Sequence, residues 1–346
     1  LTSTLQRVDD AIYLPDAPDV LGLLFRHYRG ESDLPLMVEL LDACRSADND
    51  AKVSTLEEMQ RQYADPKNCD LQKDMVVVEV ADRLVGYNRL AWSKEVEDGT
   101  YLYSHWGFVH PDWRGKGIGR ALFHRAEARI RELAAEHPAD APKLLDAGSD
   151  DSVTGLVELI KSEGYEPIRH WYEMIRPNLD DIPGIPLPEG IEVRPTNRED
   201  REQMHKIWAA EVEAFKDHWG MEETEEADFE RWGAWGKFTP ELWMVAWEGD
   251  EVVGMVRNFI DYDWNTRTGI KRGWTENISV RRAWRKKGVA KALIARSLHL
   301  LKLFGLSEAA LGVDTENPSG ALQLYQSMGY QVVKSGTSYR KPLTLD

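Results

Sequence analysis

Apolar positions along this chain switch repeatedly between helical and strand-like spacing. In residues 200–215, Met204, Ile207, Trp208, Val212 and Phe215 fall three to four apart, the stripe of a helix buried on one face. Residues 242–247 and 252–260 are short apolar runs joined by Glu248-Gly249-Asp250-Glu251, which predicts two strands and a turn. Residues 274–280 predict a further strand, 288–304 an amphipathic helix and 309–313 a short strand. Asn317 is expected to open another helix, with Pro318 in its first turn and Gly329 at its end, before a strand over 331–340. The first half follows the same plan. Strands are expected at 75–80, 84–92, 101–109, 144–147 and 165–175, and helices at 117–136 and 151–162. Each half is mixed α/β.

The two halves also repeat in sequence. Val109 to Gly119, with Trp113, Arg114, Gly115, Lys116, Gly117 and Ile118, resembles Val280 to Ala290, with Trp284, Arg285, Lys286, Lys287, Gly288 and Val289. Upstream, Leu84-Val85-Gly86 matches Val252-Val253-Gly254; downstream, Gly164-Tyr165 matches Gly329-Tyr330 and Arg176-Pro177 matches Lys341-Pro342. The joint lies in residues 177–190, which hold Pro177, Pro183, Gly184, Pro186, Pro188 and Gly190, breakers of both helix and strand. Two tandem domains are expected, 1–180 and 187–346. Extra residues in the first half fall around 136–143, which places an insertion beside its ligand groove.

Composition narrows the class. The chain has 346 residues, 42% hydrophobic and 29% charged, enough for two packed cores rather than a disordered segment. No apolar run is long enough to span a membrane, and residues 1–10 lack a signal-peptide pattern. Cys44 and Cys69 have neither metal-ligand spacing nor a disulfide framework, so a reducing cytoplasm is expected and no metal. The net charge of −16 disfavours nucleic acid or anionic lipid as partners and suits a cationic small molecule.

The segment richest in chemistry is the strand that runs through Arg-x-x-Gly-x-Gly/Ala straight into a helix. The first amides of such a helix have no intrahelical acceptor and point out at the positive end of its dipole, an anion site suited to phosphate. Arg114, Lys116, Arg285, Lys286 and Lys287 add positive charge, and Gly117, Gly119 and Gly288 let a ligand approach the backbone. The second copy, Lys286-Lys287-Gly288-Val289-Ala290, is not a dinucleotide fingerprint, and no Walker motif occurs.

At these residues the chain resembles the GNAT superfamily of acetyl-CoA-dependent N-acetyltransferases. The resemblance rests on Val-x-x-x-Trp-Arg-x-x-Gly-x-Gly/Ala with its Ala-Leu helix, then Asn317, Tyr325, Gly329 and Tyr330, and it covers nearly all of each half. It implies two tandem domains, each a twisted, mostly antiparallel sheet with helices on both faces. Strands four and five splay apart, and pantetheine pairs with backbone of the fourth strand, here Ile278, Ser279 and Val280. The loops, Arg114, Gly115, Lys116, Gly117, Ile118 and Gly119 in one half and Arg285 to Ala290 in the other, hold the pyrophosphate. Asn317 contacts the pantetheine region. The reaction is direct attack of an amine on the thioester.

Strand alternation puts Trp274, Glu276, Ile278 and Val280 on one face, where Glu276 is the one ionisable group and the expected general base; its structural alternative is a pair with Arg257. The resemblance makes Tyr325 the general acid. Counting back from Gly164-Tyr165 puts Ile160 opposite Tyr325, and counting from the loop puts His105 opposite Glu276. The first half is therefore expected to be catalytically degenerate; His105 is either a surviving base on that strand or, the favoured reading, an ordinary packed or solvated histidine. Trp232 and Trp235, among Asp217, Glu222, Glu223, Glu225, Glu226 and Glu230, form either an acceptor wall for a cationic amine or a solvated charged face. Two other readings stay open: acetylation of a thiol-bearing amine, as in the mycothiol synthases, which also use tandem halves, and a non-catalytic acyl-CoA sensor.

Overall fold

The computed structural model describes residues 10–234, 236–317 and 319–345. The expectations for Pro318, Trp235 and the segment before Asp10 lie outside the described residues. The chain folds as two compact units, residues 1–168 with 337–346, and residues 169–336.

In the first unit the strands are β1 (Leu23–Arg26), β2 (Met75–Val80), β3 (Arg83–Lys94), β4 (Tyr101–Val109) and β5 (Lys143–Asp150), in that order across the sheet. All neighbouring pairs from β1 to β4 are antiparallel, and β4 with β5 is parallel. The strand beyond β5 comes from the end of the chain, β12 (Gln331–Pro342), whose residues from Thr337 onward belong to this unit. Helices α1 (Leu34–Ala47) and α2 (Leu56–Ala64) cover one face. α2 starts at a capping box in which Thr55 and Glu58 satisfy each other's backbone amides. Met37, Leu40, Met59 and Tyr63 pack there on Met75 and Tyr87. Helices α3 (Ile118–Ala135) and α4 (Thr154–Ser162) cover the other face, packing Phe123, Ile130 and Ile160 with Leu145 of β5.

The second unit repeats this plan. Its strand order is β6-β11-β10-β9-β8-β7, with β6 Glu166–Arg176, β7 Glu192–Arg194, β8 Met244–Glu248, β9 Glu251–Phe259, β10 Arg272–Val280 and β11 Glu308–Asp314. Only β10 with β11 is parallel. Helices α5 (Arg201–Phe215) and α6 (Ala227–Gly233) lie on one face over Trp243, Trp247 and Met255. A short α7 (Tyr262–Thr268) links β9 to β10. On the other face α8 (Val289–Leu303) and α9 (Ala321–Ser327) pack over Val253, Val256 and Leu311.

The sequence repeat and the compact units therefore break at different places. The repeat breaks at the proline-rich joint, whereas the last strand of the first repeat sits in the second unit, pairing Trp171–Arg176 with Ala309–Asp314. Partly buried charges seat both crossing strands. Arg169 grips Asp314 through two bonds of 2.9 and 2.8 Å, and Arg340 bonds Glu95 at 2.6 Å.

Two local expectations change. α9 begins at Ala321 with Gly320 as its cap; Asn317 instead closes a turn by accepting the Ser319 amide at 2.9 Å. The insertion at 136–143 does not border the loop that follows Val109. His137 stacks on Tyr101 and bonds Tyr103 Oη at 2.7 Å, at the opposite end of the nine-residue β4.

Candidate active site

The site is built on a defect in β10. β10 stays in register with β11 only over Arg272–Trp274, and the two strands part beyond that point. On its other edge β10 follows β9, but the register slips between Glu276 and Ser279, so that β10 carries one residue more than its partner. Asn277 takes up the slack at φ 48°, a left-handed conformation that asparagine tolerates better than most side chains. The bulge reverses side-chain parity. Trp274 stacks on Phe259, and Glu276 lies opposite Arg257, on the α5 side. Ile278 and Val280 pack with the α8 core on the other side. The four residues expected on one face are thus split two and two, because a bulge breaks the two-residue period.

Glu276 reaches into the gap between the parted strands, where its Oε1 accepts the Gly312 amide at 2.9 Å. Burial pushes its carboxyl up to about 7; the Gly312 bond opposes this, Glu173 on β6 adds to it and Arg257 opposes it. Arg257 is not its ion-pair partner. The guanidinium is taken by Glu211 of α5, at 3.0 Å. Tyr325 is buried on α9, with its phenol held well above the ordinary tyrosine range by burial and by the field of Glu276. Beneath it Tyr330 Oη meets Thr275 Oγ1 at 2.8 Å. Tyr325 itself packs in the core under α8 and α9, where the charge of Glu276 is felt at its phenol.

Past β10 the chain turns through the phosphate-type loop. Lys286, at φ 61°, and Gly288, at φ 87°, are left-handed, and Gly288 caps α8. Lys286, Lys287 and Gly288 are exposed, and their amides donate no hydrogen bond among the described residues. A Cβ at Gly288 would meet nothing within 4 Å. Val289 is buried and Ala290 half-buried on the first turn of α8. Arg285 is spent on structure: it bonds Val280 O, Asp217 and Ala214 O at 2.9 Å each. Ser279 is buried with its Oγ unpartnered among the described residues. An open left-handed glycine together with amides, two lysines and a strand edge that have no partner among the described residues fit a long phosphorylated thioester.

The first unit has the same loop without the same surroundings. Arg114 ties its loop to Val109 O and to Asp48 as Arg285 does to Val280 and Asp217. Gly115 and Lys116 are exposed, and Lys116 lies over the Trp113 ring at 4.4 Å. Here, however, Pro18 stands 3.3 Å from a Cβ placed on Gly117, and Leu159 stands 3.2 Å from one on Gly119. Ile118 is in the core. Arg120 and His124 both bond Glu163, at 2.7 and 2.9 Å, which ties α3 to the end of α4.

β4 has no bulge: it runs in unbroken register with β3 from Tyr101 to Val109. Counting along the ladder from Gly86 and Gly254 therefore sets Trp106, not His105, opposite Arg89, where Glu276 faces Arg257. His105 matches Thr275 instead. It is buried, bonds Tyr165 Oη at 3.0 Å, and burial lowers its pKa to about 4. Of the two readings of His105, the packed histidine is the one that matches, and one bulge residue shifts it out of line with Glu276. Ile160, opposite Tyr325, is core.

On the α5 side of the second unit, Trp232 packs among Phe229, Phe238 and Trp243. Several acids near it are paired: Asp217 with Arg282 and Arg285, Glu226 with His205, Glu230 with Arg201. Asp217 and Glu230 are thus neutralised locally by arginine. Sequence reasoning missed Glu211, Asn277 and Gly312, whose positions emerge only from the fold. Among the described residues no group of His, Cys, Asp and Glu is arranged to hold a metal, and no helix is long and apolar enough to cross a membrane.

Comparison with known proteins agrees with this architecture. Two family models match, Acetyltransferase (GNAT) family over residues 204–330 and Acetyltransferase (GNAT) domain over residues 72–166, together more than half of the chain. A mycothiol acetyltransferase of Geodermatophilus obscurus is 26% identical over 313 residues, covering 88% of this chain and 93% of that protein. One from Streptomyces scabiei is 28% identical over 271 residues, covering 77% and 79%. Among solved structures, a GCN5-related N-acetyltransferase from Sphaerobacter thermophilus superposes with TM-score 0.69 at 29% identity, covering 96% of this chain and 97% of that one. A tandem GNAT protein from the clavulanic acid biosynthesis pathway shares the fold, with TM-score 0.64 at 18% identity over 93% and 99%. The chain belongs to the GNAT acetyltransferase family as a tandem member, and it is an acetyltransferase. The fold family uses acyl-CoA as cosubstrate.

Proposed function

We propose that this protein moves an acetyl group from acetyl-CoA to the primary amine of a small molecule, by direct attack within a ternary complex, and that the working centre is in the second unit. The observation that carries this reading is Glu276: a carboxylate with a proton affinity near neutrality, at a strand bulge, in the gap between the parted strands, with its charge felt by buried Tyr325. Lys286, Lys287 and the amides of the Gly288 turn hold the pyrophosphate, and the free edge of Ile278, Ser279 and Val280 takes the pantetheine. The coenzyme supplies the acetyl thioester. Glu276, directly or through a water, accepts the amine's proton. Burial keeps the Tyr325 phenol protonated, so it meets the departing sulfur as a donor. The first unit offers Trp106 and Ile160 at these two places, neither of which moves a proton.

The test is a panel of amines, polyamines, aminoglycosides and N-terminal peptides, read by release of free thiol. Glu276→Gln and Tyr325→Phe should each lower turnover by ~10²–10⁴-fold while coenzyme affinity persists. The acidic limb of the wild-type rate profile should fall near pH 7, where Glu276 loses its proton, and should vanish in Glu276→Gln. Wild-type turnover in Glu276→Gln would refute this assignment.

A thiol-bearing amine is the acceptor favoured by the relatives, since proteins named mycothiol acetyltransferase align over as much as 88% of the chain. A thiol-bearing amine should then outrun simple amines in kcat/KM; equal values across the panel would reject it.

A further inference from the structure

Glu211 lies outside every role given above, and its surroundings are unusual. It is a carboxylate only 7% exposed, on α5, and it gathers three donors from three elements. Arg257 Nη1 of β9 bonds both of its oxygens, at 3.0 and 3.3 Å. Asn277 Nδ2, on the bulge itself, bonds Oε1 at 2.6 Å, and Trp232 Nε1 bonds Oε2 at 3.3 Å. Arg257 is the register partner of Glu276 on the neighbouring strand, and its guanidinium also lies over the rings of Trp232 and Trp243, at 5.2 and 4.7 Å.

Asn277 is held in a left-handed conformation that costs energy unless its side chain is anchored, and the anchor is Glu211. A buried guanidinium seeks a carboxylate, and two lie near Arg257: Glu211 and Glu276. We propose that Glu211 is a positioning residue for the second unit's reaction, holding the β10 bulge through Asn277 and keeping Arg257 away from Glu276. The inference rests on the reading of Glu276 as base. The other groups that bear on Glu276 are Glu173, itself bonded by Arg272 at 3.1 Å, the Gly312 amide, and Tyr325 and Tyr330, which carry no charge at neutral pH.

The readout is the titration of Glu276 followed by carboxyl-carbon NMR in the full chain, its signal assigned by loss in Glu276→Gln. In Glu211→Gln, Arg257 keeps its charge and turns to the remaining carboxylate, so the Glu276 midpoint should fall by about one pH unit or more. Arg257→Gln should raise it. The double variant Glu211→Gln, Arg257→Gln should return it close to the wild-type value, a rescue that a purely structural role would not produce. An unmoved midpoint in Glu211→Gln overturns the inference; if that variant does not fold, a midpoint in Arg257→Gln that fails to rise does so. Full acetyl transfer by Glu276→Gln would instead overturn the underlying reading, and it leaves these midpoints as they are.

Discussion

At the scale of single residues, the two copies of one sheet show how a neighbour sets the chemistry of a side chain. Glu276 and His105 stand on corresponding strands, and burial acts on both, but it raises the proton affinity of the acid and lowers that of the base. His105 is wedged edge-on to Phe123 at 4.4 Å, and its Nδ1 has no partner among the described residues, so a second proton on the ring would have none either. Its folded pKa of about 4 lies below the unfolded value of 6.5. Between those two pH values the unfolded chain binds more protons, so stability is complete above the higher one and drains away as pH falls toward the lower. The loss amounts to about 3 kcal/mol. Denaturant unfolding of wild type and His105→Leu at pH 7.5 and 4.5 should show a pH-dependent loss smaller in the variant by about that amount. Equal losses would mean that His105 titrates normally in the folded protein.

At the scale of elements, the strand-loop-helix unit occurs twice with one geometry and two settings. The arginine of each copy clamps its loop to the end of the preceding strand and to an acid after the first helix, Asp48 or Asp217. Charge that looked available for phosphate is therefore structural, and the lysines and amides remain. Gly117 and Gly288 share the left-handed backbone, but only Gly117 has Pro18 against it. Replacing either with valine costs ~1–2 kcal/mol for the conformation alone. Gly288→Val meets no neighbour, so it should fold, yet its side chain stands where the anion must approach. Calorimetry should show acetyl-CoA affinity lost and turnover abolished. Gly117→Val should lower the melting temperature further, because Pro18 must move, with turnover retained per folded molecule. Loss of turnover confined to Gly117→Val would transfer the working centre to the first unit, and equal partial losses would mean two working sites.

At the scale of the whole molecule, each compact unit depends on chain from the far end of the other repeat. The first unit takes its last strand from residues beyond Thr337. There Tyr339 is buried, Arg340 bonds Glu95 at 2.6 Å, and Lys341 bonds Glu127 at 2.9 Å. Ending the chain at Gly336 would leave Glu95 buried without Arg340, at a cost of ~3–5 kcal/mol for a broken buried pair, while Glu127 keeps Arg131 at 3.1 Å. Hydrogen exchange on that truncation should show protection lost in β5 and α3 and retained in β9, β10 and β11. Unchanged protection in β5 would show that the terminal strand is dispensable.

The tandem repeat, most of the element order and the strand-loop-helix unit with its glycines were legible in the sequence. Each is a local pattern: hydrophobic period, breaker placement, or a short motif set at a fixed distance from a strand or helix end. What the sequence could not carry was anything decided by the ladder between strands. One extra residue in β10 splits Glu276 from Ile278 across the sheet and moves the match for Glu276 from His105 to Trp106, yet a bulge has no mark of its own in a run of strand-forming residues. Partner choice was equally hidden. Glu211 reaches Asn277 from 66 positions away, and Arg257 prefers it to the adjacent Glu276 because folding closes α5 over that face of β9. The exchange of last strands follows the same rule: Arg176-Pro177 and Lys341-Pro342 look alike in sequence, and only the packing of each strand against its neighbours determines which unit receives it.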